Sequence, residues 1–214
     1  MNLELVLILV VLTNLKLLGS SRLGSSIRTL GVQGLLLGLL PLVAGHDLTA
    51  RVWLLAAGGA VIKGVMFPWM LMRALRDAEV RREVEPFVGM LTSILIGIVA
   101  LGASFWLGHR LPLPRPAGSL LLVPVALSAI LLGLFLIVSR RKAVSQVLGF
   151  LVMENGIYVF GVGVVQETSL LVELGVLLDV FVAVFVMGII IFHISREFDH
   201  IDTDRLSMLR DWKP

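Results

Sequence analysis

Residues 147–162 read VLGFLVMENGIYVFGV, a mostly apolar stretch that carries one carboxylate, Glu154, near its middle. The stretch belongs to a longer apolar run over residues 144–164. A helix of that length is roughly 30 Å long, which is the thickness of the hydrocarbon core of a bilayer. The stretch therefore predicts a membrane-spanning helix that places an ionisable side chain inside the membrane.

The rest of the chain is also rich in apolar residues and poor in charged ones. Of its 214 residues, 57% are hydrophobic and 15% are charged, whereas a soluble domain has about 45–50% apolar and about 25% charged residues. We therefore expect an all-α, polytopic membrane protein, with a membrane domain over residues 1–195 and a tail over residues 196–214. About seven transmembrane helices are predicted, at residues 2–18, 27–44, 51–72, 87–107, 119–138, 144–164 and 169–193.

The basic residues predict how these helices are oriented. Thirteen Lys and Arg residues lie in the alternate connections that include the C-terminal tail, and three lie in the other connections. Connections on the cytoplasmic side of a membrane carry the excess of basic residues. The N-terminus is therefore predicted outside the cell and the C-terminal tail in the cytoplasm.

Two residue types limit what the chain can carry. It contains no cysteine, which excludes thiolate-ligated iron–sulfur clusters and disulfides. None of its four histidines lies in the middle of an apolar run, which argues against a haem held between paired histidines. We expect no cofactor and no metal, and the basic residues at the segment ends give no support for a nucleic-acid partner. The chain can carry protons or ions, but not electrons.

Three ionisable residues, Lys63, Glu154 and Asp179, lie near the middle of three different apolar runs. A charged side chain at that depth costs about 2.5–3.5 kcal/mol on insertion scales. Because three such residues lie at matching depth, we interpret them as a proton or cation relay, in which Lys63 pairs with Glu154 or Asp179. The alternative is a buried ion pair that fixes helix packing and transports nothing.

Other polar residues carry weaker predictions. Glu173 lies nearer the outer surface and is either an entry point to the relay or an interfacial carboxylate. Gln33 is predicted to form hydrogen bonds between helices. Pro68 should break its helix locally and free the carbonyl near Gly64, one turn from Lys63.

Longer motifs resemble known families. The segment SRRKAVSQVLGFLVMENGIYVFGVG at residues 139–163 has a basic turn, then Leu-Gly, then Met-x-Asn. This pattern resembles subunit K of the bacterial NADH–quinone oxidoreductase (complex I) and the C component of the Mrp cation/proton antiporters, over roughly residues 119–214, with a three-helix unit over 119–195. The whole chain, including KGVMFPWML at 63–71 and EPFVGML at 85–91, resembles component E of the hydrogenase-4 type.

The resemblance implies a function for the chain within a larger assembly. It implies a non-catalytic membrane-arm subunit of a prokaryotic plasma-membrane hydrogenase or related oxidoreductase, which takes part in proton (or cation) translocation. Its partners would be antiporter-like membrane subunits, the lipid bilayer and, indirectly, soluble redox subunits. The rival functions are a subunit of an Mrp-type antiporter and a purely structural membrane anchor.

The resemblance also implies roles for two carboxylates. Subunit K uses two membrane glutamates for proton translocation, and the first aligns with Leu151 in this chain. Glu154 lies three residues later, on the same helical face, and is the residue expected to substitute for it. The second glutamate falls near Asp179, where aspartate takes its place.

Overall fold

A computed structural model describes residues 2–43, 50–77, 87–111 and 119–164 of the chain. Every regular element in these ranges is helical. The span predicted at 169–193, with Glu173 and Asp179, lies outside the described residues, as does the tail at 196–214. The helices are α1 (Leu3–Leu18), α2 (Leu23–Gly38), α3 (Leu40–Val43), α4 (Ala50–Val61), a π-helical turn (Ile62–Met66), α5 (Phe67–Asp77), α6 (Met90–Arg110), α7 (Leu122–Ser139) and α8 (Ala143–Val164).

Five stretches of helix within these ranges are long and apolar enough to cross a membrane: Leu23–Val43, Val52–Arg73, Met90–Arg110, Leu122–Ser139 and Val144–Val162. The all-α membrane class is thereby confirmed. Helix α1 has 16 residues, which is short of a full span at about 20 residues. The described residues thus give five spanning helices where the sequence predicts about seven over the whole chain.

The fourth of the predicted segments begins three residues later than expected, at Met90. The backbone of Gly89 is extended there, with φ −56° and ψ 154°, and its carbonyl accepts a hydrogen bond from the Ser93 amide. Helix α6 therefore begins after Gly89, and it continues to Arg110.

The helix that contains Pro68 does not break as predicted. It widens into the π-helical turn Ile62–Met66 and continues as α5. The amide of Phe67 donates to the carbonyl of Ile62, five residues earlier, as a π-helix requires. A proline lacks the amide that would bond four residues back, and the wider turn shifts the hydrogen-bond register just before it. The outcome is a continuous helix with one π-helical turn.

Apolar side chains are buried in two separate clusters. The first cluster lies around the α1–α2 turn and the α7–α8 turn, and the second lies toward the opposite ends of these helices. The first cluster comprises Leu17, Leu18, Leu23, Ile27, Leu30, Phe67, Leu71, Leu132, Leu136, Val147, Leu148, Leu151 and Val152. The second comprises Leu3, Val6, Leu7, Val10, Leu37, Leu40, Leu122, Val125, Ala126 and Val159.

Helices α7 and α8 are in close backbone contact because glycines face the partner helix. A Cβ added at Gly133 would lie 2.4 Å from the amide nitrogen of Met153, and one added at Gly156 would lie 2.7 Å from the amide nitrogen of Ile130. Only glycine allows backbones to approach this closely, as is typical of helix pairs in membranes. This contact fixes the position of Glu154, the residue after Met153.

An arginine of the basic turn between α7 and α8 also contacts the end of α1. The Arg140 side chain is buried, and its Nη2 donates to the carbonyl of Leu18 at 2.9 Å. That carbonyl lies at the C-terminal end of α1, where helix carbonyls lack intrahelical partners and where a cation is favourable. Arg140 therefore ties the end of α1 to the α7–α8 turn.

Candidate functional site: a buried polar layer

A set of buried polar side chains that carry amide or charged groups lies between the two apolar clusters. In α1, Asn14 comes after Val10 of the second cluster and before Leu17 of the first. The buried glutamine of α2 likewise lies between a residue of the first cluster and a residue of the second. The same is true of the buried carboxylate and amide of α8. We call this set the polar layer; its members are Asn14, Gln33, Lys63, Glu154 and Asn155.

The centre of the polar layer is a direct ion pair. The Lys63 ammonium donates to Oε1 of Glu154, with 2.6 Å between the nitrogen and the oxygen. The Lys63 side chain is 9% exposed and the Glu154 side chain is 3% exposed. In this setting water screens the attraction only weakly. The two groups therefore form a directly hydrogen-bonded pair of opposite charges that is enclosed by the protein.

The backbone around Lys63 is positioned by helix α2. Lys63 lies in the π-helical turn, which gives this segment a different rotation from an uninterrupted α-helix. A Cβ added at Gly34 would lie 2.5 Å from the carbonyl oxygen of Lys63, and one added at Gly31 would lie 3.1 Å from the carbonyl oxygen of Gly64. The two glycines of α2 thus let the π-helical turn approach closely enough for Lys63 to reach Glu154 on α8.

An aromatic ring also lies beside the Lys63 ammonium. The Lys63 Nζ lies 5.0 Å from the ring centroid of Tyr158. Tyr158 follows Glu154 by four residues, so both side chains lie on one face of α8. The negative face of an aromatic ring attracts a cation at this distance. Tyr158 is not among the residues predicted from the sequence, although its spacing of four residues from Glu154 is a signal that points to it.

Removal of the Tyr158 ring should weaken the site. We expect Tyr158→Leu to lower the free energy of unfolding by about 1–2 kcal/mol, because the Lys63 ammonium loses a cation–π contact in a partly desolvated setting. Tyr158→Phe keeps the ring and should retain most of that energy. Reversible denaturation in mixed micelles, followed by circular dichroism, measures both variants. Equal losses in the two variants would show that the hydroxyl, and not the ring, provides the stabilisation.

The three amides of the polar layer form a chain of hydrogen bonds across three helices. Asn155 Nδ2 on α8 donates to Oε1 of Gln33 on α2 at 3.4 Å. Gln33 Nε2 donates to Oδ1 of Asn14 on α1 at 2.8 Å. The prediction that Gln33 bonds between helices is confirmed. Asn14 was not identified from the sequence, although it occupies the apolar face of α1 at helical spacing from Val10 and Leu17.

The structure thus brings together two of the four residues predicted to form the relay. Lys63 and Glu154 are in contact, whereas Asp179 and Glu173 lie outside the described residues. Among the residues that the structure describes, no group of three or more His, Cys, Asp or Glu side chains could hold a metal ion.

These features define a polytopic α-helical membrane protein with an ionisable site buried between its helices. The chain matches the family of the NADH-ubiquinone/plastoquinone oxidoreductase chain 4L over residues 121–211. An uncharacterised protein of Mycobacterium tuberculosis is 35% identical over 188 residues, which cover 86% of this chain and 85% of that protein. The hydrogenase-4 component E of Escherichia coli K12 is 28% identical over 156 residues, 72% of each chain.

The protein therefore belongs to the complex I subunit K-like family that includes hydrogenase-4 component E. The resemblance drawn from the sequence motifs is confirmed at this level. The component E of Shigella flexneri is also 28% identical over 156 residues. No solved structure matches the chain.

Proposed function

We propose that this chain is a non-catalytic membrane-arm subunit of a complex I-like hydrogenase or related oxidoreductase, and that it takes part in proton (or cation) translocation. Lys63 and Glu154 act as relay groups, and Asp179 and Glu173 extend the relay from the last predicted span. The chain crosses the prokaryotic plasma membrane about seven times, with its N-terminus outside and its C-terminal tail in the cytoplasm. It binds antiporter-like membrane subunits and, through them, soluble redox subunits.

The observation that carries this proposal is the Lys63–Glu154 bond of 2.6 Å inside a layer of polar side chains between two apolar clusters. Ionisable residues at membrane depth are costly, and they mark ion and proton pathways. The family relationship to hydrogenase-4 component E and to chain 4L supports placement in a complex that couples electron transfer to ion movement.

A joint replacement of the pair tests the proposal. Lys63→Met with Glu154→Leu removes both members of the ion pair, so neither charge is left buried without the other, and the complex should assemble. In proteoliposomes, proton accumulation during turnover of the intact complex is followed with a pH-sensitive dye, and electron transfer is measured in parallel. We expect the ratio of protons moved to electrons transferred to fall below that of the native complex.

Lys16→Met is the matched control, because Lys16 is an exposed lysine of α1 outside the polar layer. It removes one positive charge from the same subunit and should leave the ratio unchanged. If the double variant assembles and moves protons at the native ratio, the relay function is wrong and the pair serves only to anchor helices.

A further inference from the structure

The amide chain of the polar layer ends in an unsatisfied group. Asn14 Nδ2 is buried and has no hydrogen-bond partner in the part of the chain that the structure describes, and the Asn14 residue is 1% exposed. A buried amide donor left without a partner costs about 1–3 kcal/mol. Along α1 the position lies between Val10 of the second cluster and Leu17 of the first, where an apolar residue would avoid this cost.

One side-chain atom of Asn14 remains unsatisfied whichever way the amides are oriented. Gln33 uses its oxygen toward Asn155 and its nitrogen toward Asn14, so Asn14 must present its oxygen to Gln33 and its nitrogen elsewhere. If all three amides were reversed, the leftover atom would be Oδ1 of Asn14 instead. In either orientation of the three amides, one polar atom of the Asn14 side chain is not bonded to Gln33 and requires another partner.

We propose that Asn14 is a binding site for an internal water molecule, held at the α1 end of the Asn14–Gln33–Asn155 chain. Water satisfies the leftover atom in either orientation, because it both donates and accepts hydrogen bonds. The leftover atom belongs to a neutral amide, which offers an anion no opposite charge, and one amide atom is too few ligands for a cation. Helix carbonyls, which keep a second lone pair, supply the other partners of the water.

The position of the site gives this water a role in the proposed function. Asn155 is the residue next to Glu154, and Gly34, next to Gln33, contacts the backbone of Lys63. The water is therefore joined through two amides to the backbone that carries the ion pair. On the proposed function, on which this role rests, it hydrates the side of the relay that faces α1. The existence of the water does not depend on that function.

The asparagine content of the chain permits a direct test. Only three asparagines occur, at Asn2, Asn14 and Asn155. The full chain is reconstituted in lipid bilayers with isotope-labelled asparagine side-chain nitrogens, and magic-angle-spinning NMR measures polarisation transfer from water protons to each amide. Asn2 is exposed and serves as the positive control, and Asn155 Nδ2, bonded to Gln33, serves as the internal reference. Asn2→Asp identifies the first signal, and sequential assignment separates the other two without altering the site.

We expect the Asn14 signal to build up several-fold faster than the Asn155 signal and to approach the rate of Asn2. Build-up at Asn14 that is as slow as at Asn155 would overturn the proposal, because the partner of Asn14 would then be another group of the protein. The readout involves no proton translocation. If the Asn14 signal builds up fast but the double variant still moves protons at the native ratio, the water site stands and the relay is rejected. If the Asn14 signal builds up slowly but the double variant moves fewer protons, the relay stands and the water site is rejected.

Discussion

Glu154→Leu is expected to lower the free energy of unfolding by about 3–5 kcal/mol, because it leaves the Lys63 ammonium buried without its carboxylate. Lys63→Met should cause a loss of similar size, since it leaves the carboxylate buried without its cation. The two groups are 2.6 Å apart and almost fully enclosed, so bulk solvent has little access to replace the missing partner. Each single variant should therefore assemble poorly.

The double variant should behave differently. Replacement of a buried ion pair by apolar residues of similar volume is often neutral or stabilising by about 1–4 kcal/mol. Lys63→Met with Glu154→Leu is therefore expected to be close to native in stability, which makes the transport measurement on this variant interpretable. The native protein, the two single variants and the double variant form a double-mutant cycle. Denaturation in mixed micelles should give a coupling energy between Lys63 and Glu154 of about 3 kcal/mol or more.

Two results would contradict this expectation. Additive effects of the single replacements would mean that the two side chains do not act as a pair. A double variant as unstable as either single variant would mean that a further charged group in the assembled protein depends on one of them.

The pairing of a lysine and a carboxylate could be anticipated because both interrupt long apolar runs at similar depth. Depth along a helix follows from residue count at 1.5 Å per residue, and the sequence provides that count directly. Which carboxylate pairs with Lys63 does not follow from depth, because it depends on how the helices are arranged around each other. From the sequence, Glu154 and Asp179 are therefore alternative partners of Lys63, and the structure brings Glu154 into contact with Lys63.

The features that sequence analysis missed depend on backbone detail or on neutral polar groups. Pro68 was expected to break its helix, but the helix absorbs it through a π-helical turn, whose hydrogen-bond register the sequence does not reveal. Asn14 carries no charge, so it is not among the residues whose placement in a membrane has a large free-energy cost. Its burial and its bond to Gln33 nevertheless make it part of the polar layer. A search for any polar residue on the apolar face of a helix would have found it.

Gly34→Ala is expected to disrupt the site from the backbone side. The added methyl group would lie 2.5 Å from both the carbonyl carbon and the carbonyl oxygen of Lys63, and 2.8 Å from the amide nitrogen of Gly64. These are backbone atoms of a helix, and they cannot rotate away as a side chain would. Helix α2 and the π-helical turn must therefore move apart, at a cost of about 1–3 kcal/mol. Reversible denaturation in mixed micelles measures this loss.

The displacement should also weaken the ion pair, because Lys63 moves with its backbone while Glu154 stays fixed on α8. The double-mutant cycle repeated in the Gly34→Ala background should give a smaller coupling energy than in the native background. Gly59→Ala is the control, because its methyl group would meet no atom of the described residues within 4 Å. It should leave the coupling unchanged and raise stability slightly, since alanine favours a helix over glycine by about 0.5–1 kcal/mol. If Gly34→Ala has no more effect than this control, α2 does not set the position of Lys63, and the contact with Glu154 must be held by other elements.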